Sequence, residues 1–535
     1  MAKSPTVSKK DAIEASERMS GWDFATWRSG DSPIMRSTMI GLLVLEKAPD
    51  WKRLVDRYDR ASREVPILRK KVIEGPVAIA NPRLVVDPNF DLSFHIRRFR
   101  MPEGATWDDV LEDARRQSMT DFDKDRPLWR VTVLEGLPGG KAAVISKLHH
   151  AIADGQGALQ LGAALVDLTP DGKDLGPMPP EPESSDLTPS VFAETMVRDN
   201  VSWMLSTAND MVKNAVPTAM NLLTDPVGTL GNLYTTASSL IRFSNTPLDS
   251  LSPLMTRRSI NYHFDTFDFP FAELKTGAKE TGHTVNDGFL AAVAEGLGEY
   301  HRKLNRPVDK LNISMPISLR KPGDGAENAV TIARFELPTE EGSLIKRMDQ
   351  VSAIVKKWRA EPALGFANQI GEISRFVPMD IVNAAAQATD VTASNVPGIP
   401  IPVYLAGAKV ERMYPLPPTI GAAVFIAMLT YDGIAQIGIA SDDAAIENRE
   451  LLVKCFKAGF TKVTGKPVIS TSPLSTRTSG SIKKRSTVKK TTVKRAAKKA
   501  SPKKATKKPT KATKKVAPRK STVRKTPAKR TPTAK

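Results

Sequence analysis

Two adjacent histidines, His149 and His150, close a short apolar run, and Asp154-Gly155 follows a few residues on. Imidazole is the side chain whose ordinary titration lies near neutrality, so a histidine at a strand end suits general-base work. The run AAVISKL (142–148) reads as that strand. If it continues through the pair, Val144, Ser146, Leu148 and His150 lie on one face, and Ile145, Lys147 and His149 on the other. Only one imidazole can then face a given cleft. Asp154 has two readings: it orients the site through an ion pair, or it caps a helix predicted over Ala158–Leu168.

Other chemical signatures are missing. The sequence has no Walker A pattern and no Gly-x-Ser-x-Gly elbow. Gly155-x-Gly157 follows a strand and opens a helix, as a dinucleotide-binding turn does. Position 160, however, is Gln160, and the histidine segment intervenes, so a nicotinamide or flavin site is rejected. None of the six histidines sits in a His-Glu-x-x-His pattern. A single cysteine, Cys455, excludes a disulfide framework and a cysteine zinc cluster, and fits a reducing compartment. No cofactor and no metal are expected.

The elements that must position the pair mix both periodicities. GLLVLEK (41–47) reads as a strand and Trp51 to Val65 as a helix, with Trp51, Leu54, Val55 and Tyr58 on one face. A second block repeats the mixture. SINYHF (259–264) and LNISMPI (311–317) read as strands, and Thr284 starts a helix with Val285, Phe289, Val293 and Leu297 aligned. Residues 424–440 read as two strands joined near Tyr431-Asp432-Gly433. An α/β or α+β body follows. Between the blocks, 176–189 carries five prolines and reads as an extended linker. Residues 190–245 read as a helical crossover broken near Pro217 and Pro226. The expected division is 1–20 extension, 21–175 first domain, 176–250 linker and crossover, 251–468 second domain, 469–535 tail.

Charge is unevenly spread over the 535 residues. Thr471 to Lys535 holds 24 of the 78 Lys and Arg and no acid, so the rest carries 54 bases against 58 acids. A slightly acidic body thus bears a strongly basic tail. The tail has almost no large apolar residues to offset an ordering cost of about 1–2 kcal/mol per residue, and is expected to be disordered. The longest apolar run, Ile420 to Leu429, is ten residues. That is half of what a membrane-spanning helix needs. The first residues show no apolar secretory signal. A cytoplasmic protein is expected, one able to sit on a membrane without crossing it.

His-His-x-x-x-Asp-Gly (149–155) is the signature of the CoA-dependent acyltransferase superfamily. Around it stand Pro127-Leu128-Trp129 upstream, Asn286-Asp287 at a helix start, MPISLR (315–320), and Ser394-Asn395-Val396-Pro397-Gly398. In this order, over roughly residues 20–465, the set resembles the bacterial wax ester synthase/diacylglycerol acyltransferase family. Two departures stand out. Arg36 occupies the last place of a segment that is commonly Pro-Met-His, and Glu327 precedes Asn328 where Gly-Asn is usual.

The resemblance implies two chloramphenicol-acetyltransferase-like domains with the motif at a channel between them. It implies His150 as general base, His149 as its support, and Asp154 as a mainly structural acid with Arg320 a candidate partner. Gly155 would keep the turn tight. Asn286 and Asp287 match a family motif, but Thr284-Val285-Asn286-Asp287 reads equally as a helix cap. Pro127, Leu128 and Trp129 are expected to shape the fold or the acyl channel. Ser394 and Asn395 could donate to an oxyanion, although a turn set by Pro397-Gly398 is the favoured reading.

The substrates so implied are a fatty acyl-CoA and a lipid alcohol, either diacylglycerol or a long-chain alcohol, met at a membrane or lipid-inclusion surface. The tail would bind anionic lipid or nucleic acid without reading sequence. The alternative function is a non-catalytic or weakly active protein that tethers lipid inclusions or nucleic acid and keeps the acyltransferase fold.

Overall fold

The computed structural model describes residues 17–74, 82–153, 155–183, 249–318, 330–360, 377–468 and 472–474. The predicted helical crossover (190–245), Asp154, Arg320, Glu327 and nearly all of the basic tail lie outside them. In chain order the first half gives α1 (Gly21–Ser29), β1 (Thr38–Leu45), α2 (Trp51–Glu64), β2 (Ile96–Arg100), α3 (Trp107–Met119), β3 (Trp129–Glu135), β4 (Ala142–His149) and α4 (Gly155–Leu165). The second half gives β5 (Tyr262–Pro270), α5 (Phe271–Glu280), α6 (Val285–Lys303), β6 (Lys310–Ser318), β7 (Val330–Pro338), α7 (Leu344–Arg359), α8 (Met379–Gln387), β8 (Val391–Val396), β9 (Tyr404–Leu405), β10 (Ala408–Leu416), β11 (Val424–Tyr431), β12 (Ile434–Asp442) and α9 (Arg449–Thr464).

Two six-stranded mixed sheets organise these elements. The first runs β9-β10-β1-β4-β3-β2 and the second β7-β6-β8-β11-β12-β5. The chain does not keep each sheet to one half. After β8 it leaves the second sheet, adds β9 and β10 to the edge of the first beside β1, and returns as β11. Gly438 of β12 lies against Pro415 of β10, where a Cβ would overlap the Pro415 carbonyl. Polar contacts fasten the same crossing: Arg412 Nε donates to Asp268 at 2.6 Å, and Gln436 accepts the Met413 N–H.

Burial follows the sheets. Ile40, Leu42 and Ile145 of the first sheet share a core with Tyr262, Phe264, Phe425 and Ala427 of the second, with α3 packed in. The opposite face of the first sheet packs on α2 and α4, and that of the second on α6, α7 and α9. Each large apolar side chain withdrawn from water contributes about 1.5–3 kcal/mol.

Local signals explain several boundaries. Asp432 (φ 46°) and Gly433 (φ 77°) form the two-residue link between β11 and β12, the twist a tight hairpin requires. α4 begins at Gly155, three residues before the expected start. β5 begins at Tyr262, three residues later than expected, and runs to Pro270. The described part of the proline-rich linker lies along α2, where arginine side chains take its carbonyls: Arg60 donates to Gly176 and Pro177 at 2.6 Å each, and Arg63 to Pro179 at 3.0 Å.

Candidate active site

β4 ends between two neighbours, and its last residues bond to each in turn. The His149 N–H donates to Leu128 O (3.0 Å) on the β3 side, and the His150 N–H to Ser37 O (2.8 Å) on the β1 side. The chain then turns, with Ile152 N–H donating to His149 O. Lys147 and His149 share a face, and the two imidazoles have unlike surroundings.

His149 is 5% exposed. Trp27 of α1 meets its ring edge-on at 5.6 Å, and Phe122 at 5.8 Å. Gly30 closes the cage: a Cβ there would stand 3.5 Å from His149 Nε2. Nδ1 accepts the Ala151 N–H at 3.1 Å, which assigns the ring proton to Nε2. Burial chiefly, then the neighbouring His150, pushes the His149 imidazole down to about 4. It is therefore neutral at physiological pH. His150 is only half-buried. One imidazole is thus caged and neutral, and the next is only half-buried.

A buried cation braces this cage. Lys147 Nζ donates to Thr120 O (2.6 Å) and Asp121 O (3.3 Å) just after α3, and lies 4.2 Å from the centre of the Phe122 ring. Burial pushes its ammonium down to about 8. Arg36 Nη1 caps the same helix end at Met119 O (2.7 Å), while its Nε is buried without a hydrogen-bond partner among the described residues. Two cations at a helix C-terminus suit the negative end of its dipole. They hold the turn that delivers Phe122. Trp27, Phe122 and Lys147 were not among the residues sequence reasoning selected. Lys147 carried a visible signal, a lone charge in an apolar strand on the face of His149.

The other selected residues fall in different places. Leu128 is fully buried and supplies the carbonyl for His149 N–H. Trp129 Nε1 donates to Leu68 O (2.7 Å), and the ring stacks on His95 at 4.5 Å. Pro127 is buried beside them. Asp287 spends its carboxylate on the N-cap of α6, accepting the Thr284 N–H (2.9 Å) and hydroxyl (2.7 Å). Asn286 is half-buried, its Nδ2 4.0 Å from Met315 Sδ, in contact with the helix-covered side of the second sheet.

The turn expected at Ser394 and Asn395 is a correction. Both residues lie in β8, paired in parallel with Ala427 and Met428 of β11. Ladder bonds from a neighbouring strand outweigh the turn signal, which acts only after Val396. Ser394 shares the inter-sheet face with Ala427, opposite the face of Ala393 and Met315. Gly398 follows at the crossing, packed so closely on Thr430 that a Cβ would overlap its carbonyl. Among the described residues no three His, Cys, Asp or Glu could together hold a metal ion, and Cys455 is buried.

Comparison with known proteins decides the family. Residues 19–289 match the wax ester synthase/diacylglycerol acyltransferase catalytic domain, and 326–464 match the WS/DGAT C-terminal domain. The chain belongs to this acyltransferase family. A relative from Mycobacterium tuberculosis H37Rv, provisionally named a diacylglycerol O-acyltransferase, is 32% identical over 473 residues, covering 87% of this chain and 96% of its own. Another from that strain is 26% identical over 424 residues, 76% and 87% of the two chains. Among solved structures, the wax ester synthase/diacylglycerol acyltransferase of Marinobacter aquaeolei VT8 matches with TM-score 0.54 at 18% identity, over 84% of this chain and 100% of that one. A starter condensation domain of rhizomide synthetase, solved with C8-CoA, matches with TM-score 0.52 at 12% identity, over 87% and 98%. The two-sheet fold of this WS/DGAT chain is therefore also that of condensation domains. No described helix is long and apolar enough to cross a membrane.

Proposed function

We propose that the protein transfers a long-chain fatty acyl group from acyl-CoA to diacylglycerol, a long-chain alcohol or both, giving triacylglycerol or wax ester, with His150 as general base. The observation that carries this reading is the asymmetry of the pair: His149 is caged and neutral, and His150 beside it is half-buried. His150 takes the proton of the acceptor hydroxyl. The oxygen forms a bond to the thioester carbonyl carbon, the C–S bond breaks, and the departing CoA thiolate recovers the proton from the imidazolium. No acyl-enzyme is required. The family supplies acyl-CoA and an acceptor as the substrate classes. A lipid acceptor places the work at a membrane or inclusion surface, where the basic tail adds attraction to anionic lipid or nucleic acid.

The test is thiol release from a long-chain acyl-CoA, with long-chain alcohol and diacylglycerol offered separately. Acceptor-dependent release should vanish in His150→Ala and fall less in His149→Ala. Full activity in a folded His150→Ala protein would refute the base assignment. No release with either acceptor, from folded protein that still binds acyl-CoA, would move the reading to another acceptor or to a tethering role.

A further inference from the structure

Strand β2 is the free edge of the first sheet and reads Ile96-Arg97-Arg98-Phe99-Arg100. Only Ile96 is buried; the other four side chains are exposed, Phe99 by 54%. Arg97 and Phe99 alternate onto the face that carries Arg130 of β3, and Arg98 and Arg100 onto the other. Arg97, Arg126 and Arg130 converge on one ring: their guanidinium carbons lie 5.6, 4.3 and 4.7 Å from the centre of Phe94. On the second face Arg98 lies 4.8 Å from the Trp51 ring.

Acids border this edge, Asp125 among them, but they do not pair with most of its arginines. Asp123 lies 3.5 Å from Arg126, and Asp91, Glu103 and Glu135 are nearby in sequence or register. Arg97, Arg98, Arg100 and Arg130 make no ion pair among the described residues. Burial and the adjacent Arg97 both push the Arg130 guanidinium down. Charges on an edge strand guard against strand pairing, and that accounts for one or two arginines. It does not account for an exposed phenylalanine set among them, which works against solubility, nor for three like charges gathered on one ring. An anionic surface with an apolar interior answers both: phosphates meet the guanidinia and Phe99 enters the acyl boundary.

We infer that the β2 edge is a docking surface by which the folded body seats on a bilayer of anionic phospholipid. This goes with the lipid acceptor of the proposed reaction, but its test reads binding rather than catalysis, so either idea can fail alone.

The body's only cysteine, Cys455, is fully buried, so Phe99→Cys gives the full-length chain a single accessible thiol. It is labelled with an environment-sensitive fluorophore and mixed with vesicles of phosphatidylcholine, with or without phosphatidylglycerol, at about 0.15 M salt. A blue shift and protection from an aqueous quencher are expected only with phosphatidylglycerol. A label at Ile345→Cys, an exposed position on α7, should stay aqueous on the same vesicles. Combining Arg97→Gln, Arg98→Gln and Arg100→Gln with the Phe99→Cys probe should abolish the shift. Vesicle-bound protein whose Phe99 label remains quenched would show that the tail alone recruits it, and would overturn the inference. So would an equal shift with duplex DNA, or a shift that survives the triple arginine change.

Discussion

Three described histidines, His95, His149 and His301, are buried, hydrogen-bonded and harder to protonate than a free imidazole, and only His149 adjoins the proposed base. His301 of α6 is fully buried in the second half. Its Nδ1–H donates to Leu297 O (2.8 Å), so Nε2 accepts from the Ser252 hydroxyl (2.8 Å). Asp390, also fully buried, completes what resembles a Ser-His-Asp set. Its carboxylate, however, accepts the N–H of Leu251 and of Asn312 and the Ser250 hydroxyl, not the ring. Every member is occupied, and the set ties the chain entering the second sheet to α6, β6 and β8. His149 differs in one respect. Its ring is equally dry, but the next residue is a half-buried imidazole. Burial and a serine contact therefore do not by themselves mark a catalytic histidine; what sets His149 apart is the half-buried His150 that follows it.

The largest effects separate the two regions in opposite directions. His150→Ala should lower acyl transfer by about 10²–10⁴-fold, the usual worth of a positioned base, and leave the urea midpoint unchanged. His301→Ala should cost about 2–3 kcal/mol of stability by stranding the Ser252 hydroxyl and opening space, while folded protein keeps its kcat. Equilibrium unfolding beside thiol-release kinetics reads both. If His301→Ala lost turnover without losing stability, the division between knot and site would collapse.

Acid sharpens the comparison. Burial holds His149 and His95 down to about 4, and lowers His301 as well. The unfolded chain takes up these protons near pH 6.5, before the folded chain can. Their contribution to stability is thus complete above about pH 6.5 and is lost as pH falls toward about 4. For His149 it reaches about 3 kcal/mol at most. His149→Gln should flatten the fall in unfolding free energy between about pH 6.5 and 4.5, measured by urea melts. An unchanged slope would mean that the ring is charged in the folded chain.

Much of this architecture was legible because local chemistry and final pairing agree. The Asp432-Gly433 link, the helix from Trp51, and the strand leading to His149 all follow from patterns within a dozen residues. Two features were not. Residues 404–416 carry no local mark of joining β1, more than 350 positions earlier in the chain, because strand partners are chosen by tertiary packing. Ser394 and Asn395 were read from the proline and glycine beyond them, whereas the pairing with β11 decides their conformation. At the site, the motif pointed to the pair, but Trp27 and Phe122 lie outside it and meet His149 only in the folded chain.

The smallest effect tests whether that aromatic cage tunes the chemistry or only packs. Phe122 presents an edge to His149 and a face to Lys147 Nζ. Such contacts are worth about 0.5–1.5 kcal/mol each. Phe122→Leu keeps apolar bulk but loses both ring interactions, letting water nearer the imidazole. The His149 titration should then rise from about 4 toward its ordinary value. A proton on His149 places a positive charge beside His150 and weakens it as a base. The acid limb of the kcat profile should therefore move to higher pH, with activity at neutral pH falling by no more than about fivefold. Phe122→Tyr retains a ring and should restore the limb. A drop in stability with the limb unmoved would leave Phe122 a packing residue and assign the neutrality of His149 to burial by Trp27 and the backbone alone.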